Sequence, residues 1–164
     1  MTRGAWGFIK NSKKKIIYSN SDSYPVGLGL EVKNFIIQYY KKLSKIFDNL
    51  IEPELDEPEH LYFSIDNPSE KYFTNAEEFL NYPLFCEWAY IINLDTNKLE
   101  VYCHKTKDPT WTKKDSMYLA LIKNVSFKKI IDFKIENLTK KLRTIKKPQT
   151  QKEIQRGLKK IRCI

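Results

Sequence analysis

Residues 87 to 103 read Glu-Trp-Ala-Tyr-Ile-Ile-Asn-Leu-Asp-Thr-Asn-Lys-Leu-Glu-Val-Tyr-Cys. Trp88, Tyr90, Ile92 and Leu94 alternate with their neighbours, Asp95 to Lys98 turns the chain, and Leu99, Val101 and Cys103 alternate on the way back. A period of two, interrupted by polar turn residues, predicts a β-hairpin with one face buried. Two shorter runs upstream repeat the pattern: Gly4 to Ile9 and Lys15 to Tyr18, split by the polar turn Asn11-Ser12-Lys13. Met117 to Ile122 is apolar enough for another strand. Strands joined by tight turns imply an antiparallel sheet, and nothing in the chain alternates as βαβαβ.

Between the hairpins lies a long helix. From Leu30 to Ile51, Val32, Phe35, Ile36, Tyr39, Leu43, Ile46, Phe47 and Leu50 recur at helical spacing, with Lys33, Gln38, Lys41, Lys42, Lys45 and Asp48 on the other side, and Pro53 ends the run. Asn75 before Ala-Glu-Glu-Phe-Leu reads as an N-cap with carboxylates in the first turn, a short helix that Pro83 closes. Downstream, a helix is expected from Glu136 to about Ile145. Pro148 breaks it, and Thr150 and Glu153, at capping-box spacing, open a last helix that runs to about Arg162. The expected fold is α+β, one domain over residues 1–164: an antiparallel sheet built from hairpins, with one long amphipathic helix and a basic C-terminal helical segment (134–164) packed on it.

The 164 residues are 41% apolar and 13% aromatic, with 5 Gly and 7 Pro, which suits one buried core and excludes collagen-like and low-complexity classes. We find no apolar run long enough for a membrane span and no charged-then-apolar leader, so the expectation is a cytoplasmic protein of the host cell. Cys86, Cys103 and Cys163 are odd in number and widely spaced, which argues against a disulfide framework or a zinc site.

Charge is placed unevenly along the chain. Lys and Arg against Asp and Glu give +6 for residues 1–50, −10 for 51–100, +1 for 101–110 and +12 for 111–164, within a total of +9. So basic a C-terminal third favours an anionic partner, nucleic acid first. The expected contact residues are Lys140, Lys141, Arg143, Lys146, Lys147, Lys152, Arg156, Lys159, Lys160 and Arg162, joined by Tyr24 and Trp111, aromatics expected in loops. The plainer reading is solubility: only Arg3, Arg143, Arg156 and Arg162 are Arg, and Lys lacks the planar fork that reads base edges. The acidic stretch 52–60, with Pro53 and Pro58, is expected to be an exposed loop. It matches no Ca²⁺-loop spacing, and residues 52–59 offer a second mode, imitation of phosphate charge toward a basic groove on a partner.

Catalytic signatures are sparse. His60 and His104 are isolated, the phosphate-loop, dinucleotide, serine-elbow and zinc-helix patterns are missing, and no cofactor or metal is expected. One alternative is enzymatic. Removal of Met1 leaves the Thr2 α-amine beside its own hydroxyl, with Arg3 as an anion-holding neighbour and Asn20 and Asp22 returned to it by the first hairpin, the arrangement of an N-terminal-nucleophile amide hydrolase. Over about 22 residues this order resembles the start of the choloylglycine-hydrolase and penicillin-acylase-like enzymes, which lead with Cys or Ser and have a larger four-layer core. The plainer reading is that Thr2 and Arg3 pair within an edge strand.

Thr2-Arg3-Gly4, Gly7-Phe8, Tyr18, and Asp22-Ser23-Tyr24-Pro25 with Gly27-Leu28-Gly29 together resemble a group of small uncharacterised phage and bacterial proteins. Those open with T-R and carry a D-G/S-Y-P-x-G-x-G connector after a hairpin; residues 87 to 102 resemble their central hairpin. Ser19-Asn20-Ser21 departs from the Cys-His or Asn-His pair that many of them place before the Asp. The resemblance implies a phage or mobile-element origin and no activity. A small basic phage protein of this kind is expected to be a non-enzymatic accessory factor that binds nucleic acid or a host nucleoprotein complex, such as an inhibitor of a CRISPR-type defence effector.

Overall fold

A computed structural model describes residues 2–20, 22–81, 86–106 and 117–138 of the chain. β1 (Gly4–Lys10) and β2 (Lys13–Ser19) form the expected first hairpin, paired from Gly4 opposite Ser19 to Lys10 opposite Lys13. The two residues that turn it, Asn11 and Ser12, have φ of 51° and 61°. Two successive left-handed residues are what a type I′ turn requires, and this turn follows the natural twist of the strands it joins.

The long helix is present but divided. α1 (Leu28–Tyr39) passes through a 3₁₀ turn, Tyr40–Lys42, into α2 (Leu43–Asn49). The expected apolar stripe is the buried one: Val32, Phe35, Ile36, Leu43, Phe47 and Leu50 all lie in the core. A 3₁₀ turn winds three residues per turn instead of 3.6, so it rotates α2 by about 60° relative to an unbroken helix. Tyr40 stands at this break with 49% of its surface exposed.

β3 (Trp88–Asn93) and β4 (Lys98–Thr106) form the second hairpin, and β5 (Met117–Ser126) pairs antiparallel with β4 across a register shift at Val101/Tyr102. The order across the sheet is β2-β1-β3-β4-β5. The expectation of an antiparallel sheet is corrected here: β1 and β3 run parallel, Gly4 beside Trp88 through Ile9 beside Asn93, and the sheet is mixed. The reason is the long connection. β2 ends beside the start of β1, and after the helices and residues 51–81 the chain re-enters at that same end on the far side of β1, so β3 runs against β2 and along β1.

β3 is buried along its whole length, because both faces of the sheet are covered. On one face Trp6, Phe8, Trp88, Tyr90, Ile92, Leu99 and Val101 pack with the helical stripe and with Phe63 and Phe73. Trp6, Phe8, Phe35 and Phe63 form an aromatic knot with ring centroids 5.5 to 6.3 Å apart. The other face carries small residues in its centre, Ala5, Ala89 and Cys86, with Ile16 and Ile91. Its cover is a 3₁₀ segment, Glu77–Asn81, that begins where a capped helix was expected. Asn75 Oδ1 accepts the N–H of Glu77 at 3.3 Å and also that of Ile16 on β2, while Ala76 N–H donates to the Ile16 carbonyl at 2.8 Å. The outer edge of β2 is thereby occupied at its centre.

Residues 52–60 are the exposed acidic loop that was expected, with Leu55 80% exposed. β5 runs four residues past the expected strand end, to Ser126, whose hydroxyl accepts the Lys128 N–H and starts a 3₁₀ turn, Phe127–Lys129. Phe127, Ile130, Ile135 and Leu138 then return to the core. Beyond Leu138 the expected basic helices lie outside the described residues. Among those described, no helix is long and apolar enough to cross a membrane.

Candidate nucleic-acid interface

Four segments meet at the turn end of the sheet: the β1–β2 turn, the β3–β4 turn, the 3₁₀ break after α1 and the 3₁₀ turn after β5. The Asp95 carboxylate receives the N–H of Asn11 at 2.7 Å and that of Ser12 at 3.1 Å, which ties the two hairpin tips together. Asn93 Oδ1 accepts the N–H groups of Asp95 and Thr96, and the Asn97 carbonyl accepts the N–H of Phe127 at 3.0 Å. Lys10 Nζ reaches both oxygens of Asp48 on α2, at 2.7 and 2.6 Å. The Tyr40 ring meets Phe127 edge to face, centroids 6.1 Å apart at 90°.

These contacts enclose an open groove of about 410 Å³, lined by Lys10, Asn11, Tyr40, Lys41, Asp95 and Asn97 among others. Of its charged lining residues, Lys10 is paired with Asp48, Asp95 is held by two backbone N–H groups, and Lys41 is exposed; Lys42, Lys128 and Lys129, also exposed, follow the lining residues Lys41 and Phe127 in the chain. An exposed aromatic ring between ammonium groups can stack a planar base above a phosphate track.

A second concavity of about 410 Å³, beside β2, has a different character. Lys14 pairs there with Glu77 at 2.8 Å, and Lys15 Nζ donates to the carbonyls of Phe47 and Leu50 at the end of α2 while lying 4.5 Å from the Phe47 ring centroid. Its cations serve the fold: Lys15 closes a helix C-terminus, where carbonyls and dipole both favour positive charge. Burial lowers the Lys15 pKa from its ordinary value.

The most distinctive string in the sequence proves to be a clamp around the start of α1. Asp22 takes φ of 31°, its carbonyl accepts the N–H of Leu28, and the Tyr24 carbonyl accepts those of Gly27 and Gly29. A Cβ on Gly27 would stand 2.3 Å from the Asp22 carbonyl oxygen, and one on Gly29 would stand 2.7 Å from the Tyr90 ring. Tyr90, buried with its hydroxyl donating to the Ser23 carbonyl at 2.9 Å, is held well above the usual phenol pKa, chiefly by desolvation.

The residues considered for amide hydrolysis are partly gathered by this clamp. After the first hairpin the chain returns Ser23 to Thr2, whose carbonyl accepts the Ser23 N–H at 3.4 Å. Thr2 itself is only 4% exposed, while Arg3, Asn20 and Asp22 are exposed. Tyr24 is 39% exposed, before the N-terminus of α1, and Tyr40 follows its C-terminus. A helix of 12 residues separates them by about 18 Å, so Tyr24 does not belong to the groove. Trp111 and Lys140, Lys141, Arg143, Lys146, Lys147, Lys152, Arg156, Lys159, Lys160 and Arg162 lie outside the described residues.

Sequence reasoning placed Lys41 and Lys42 on a solvated helix face and passed over Tyr40, Lys128 and Lys129. The available signal was Tyr39-Tyr40-Lys41-Lys42: one apolar stripe has room for Tyr39, which leaves its neighbour pointing away beside two lysines. His104 Nε2 lies 3.1 Å from the Leu80 carbonyl, and its buried Nδ1 has no hydrogen-bond partner among the described residues. Among those residues no group of three His, Cys, Asp or Glu side chains is placed to hold a metal ion. Compared with protein-family models, curated proteins and solved structures, the chain matches none.

Proposed function

We propose that the protein is a non-enzymatic accessory factor, of phage or mobile-element origin, that binds nucleic acid or a host nucleoprotein complex. The observation that carries this reading is where the charge sits. Residues 139–164 hold ten basic and one acidic side chain, a net charge equal to the +9 of the entire chain, so the rest of the sequence sums to zero. So uneven a placement of charge along the chain suits a partner that carries dense negative charge. The exposed Tyr40 and its lysines add a contact surface on the body itself. Burial of Thr2 weighs against the amide-hydrolase alternative, because an attacking hydroxyl must be reached by its substrate.

The test is a binding titration of the whole chain against oligonucleotides at several salt concentrations. Affinity should fall steeply as salt rises, since each neutralised phosphate releases counterions. Replacing Lys159, Lys160 and Arg162 by Glu should abolish binding while the circular-dichroism spectrum stays unchanged. Unchanged affinity in that variant would remove the tract from the account. A host effector complex whose DNA or RNA loading is blocked by the protein would identify inhibition as the outcome of binding.

A further inference from the structure

We infer that the groove beside Tyr40 is a subsite for single-stranded nucleic acid, in which one unstacked base lies on the Tyr40 ring and its flanking phosphates meet Lys41 and Lys128. The inference rests on the nucleic-acid reading above and adds the strandedness and the place of contact. Two observations favour a single strand. The groove, at about 410 Å³, lies toward the small end of sites that take small molecules, room for a nucleotide and not for a duplex. Its aromatic is nearly half exposed and held by Phe127 at 90°, so a planar ligand can cover surface that now faces water. A duplex keeps its bases stacked inside and has nothing to lay on that ring, whereas a single strand can turn a base out.

The charges agree in sign and in type. Lys41 follows Tyr40 and Lys128 follows Phe127 in the chain, both exposed, and of the nearby carboxylates Asp48 is paired with Lys10 while Asp95 accepts two backbone N–H groups. Ammonium groups neutralise phosphate without reading base edges, so the subsite is tolerant of sequence. Asn11 and Asn97 at the hairpin tips offer amides to a base or a sugar, and binding to RNA over DNA would show their use on the 2′-hydroxyl.

The experiment uses the full chain with single-stranded RNA and single-stranded DNA of eight nucleotides, and with a hairpin duplex of equal charge, each carrying 2-aminopurine at one position. Tyr40→Leu should weaken single-strand binding on the order of ten- to a hundredfold and abolish the change in 2-aminopurine fluorescence, while Tyr40→Trp retains both. The duplex should be indifferent to Tyr40→Leu. Lys41→Gln with Lys128→Gln should flatten the single-strand salt slope by up to about 1.4, the share of two phosphates. If salt-dependent binding is intact in Tyr40→Leu, or the duplex competes as well as the single strand, the subsite is wrong and the nucleic-acid reading stands. If the wild-type chain binds none of the three probes at low salt, both fall.

Discussion

His104 shows how one side chain couples this fold to pH. Its Nδ1 is buried without a hydrogen-bond partner among the described residues, and burial lowers its pKa below the ordinary imidazole value, against the smaller opposing pull of the Leu80 carbonyl. Protonation would place a second N–H where no described group accepts it. The unfolded chain therefore binds the proton more readily, so stability is full above about pH 6.5 and declines as pH falls toward the depressed native value. Urea titrations at pH 7.5 and 5.0 should show this loss, and His104→Gln should reduce the difference between the two. Gly29 makes a second residue-scale case. Gly29→Ala sets a methyl against the Tyr90 ring and should cost about 1–3 kcal/mol by overpacking, read as a lower midpoint in the same titration. Cys86, fully buried, has its thiol pushed up to about 12 by desolvation and should react with a thiol reagent only after unfolding. The alternation of residues 88–94 marked Trp88 for the buried face, where it lies. The reason for the glycines of the connector, contact with Asp22 and Tyr90, exists only in three dimensions.

At the scale of elements, local chemistry was legible and partner choice was not. Both hairpins, the buried stripe of the helix and the capping role of Asn75 follow from period, turn residues and short side-chain bonds that close within a few positions. The parallel pairing of β1 with β3 joins strands more than seventy residues apart, and no local signal in either strand names its neighbour. The 3₁₀ break was hidden for a related reason: periodicity survives a three-residue change of winding. The first turn yields a test. Ser12 at φ of 61° carries the left-handed penalty of a residue with a Cβ, and Ser12→Gly, which keeps the N–H donated to Asp95, should raise stability by about 0.5 kcal/mol in denaturant melts. In the core, Phe8 contacts three rings of the aromatic knot and Phe47 besides, so Phe8→Ala should cost about 3–5 kcal/mol and leave the chain close to unfolding.

For the whole molecule, the candidate site was half legible. The lysine count and its uneven placement pointed to an anionic partner, and this required no geometry. The groove did require it, because Lys10, Tyr40, Asp95 and Phe127 come from four separate segments that only the sheet brings to one end. The acidic loop 52–59 stands exposed, and reversing its carboxylates to lysine should leave oligonucleotide affinity unchanged or higher. A loss of affinity would assign that loop to the contact surface.

The manner in which β2 is finished has a bearing on how copies of this chain behave when crowded. Residues 75 and 76 already use the amide and carbonyl of Ile16, so a second molecule arriving along that border finds its template taken at the midpoint. Lys13, exposed at the head of the same strand, adds a charge that a second copy's strand would have to meet. Strand-by-strand growth into fibres from this side of the molecule is therefore obstructed by the fold itself, without help from a chaperone.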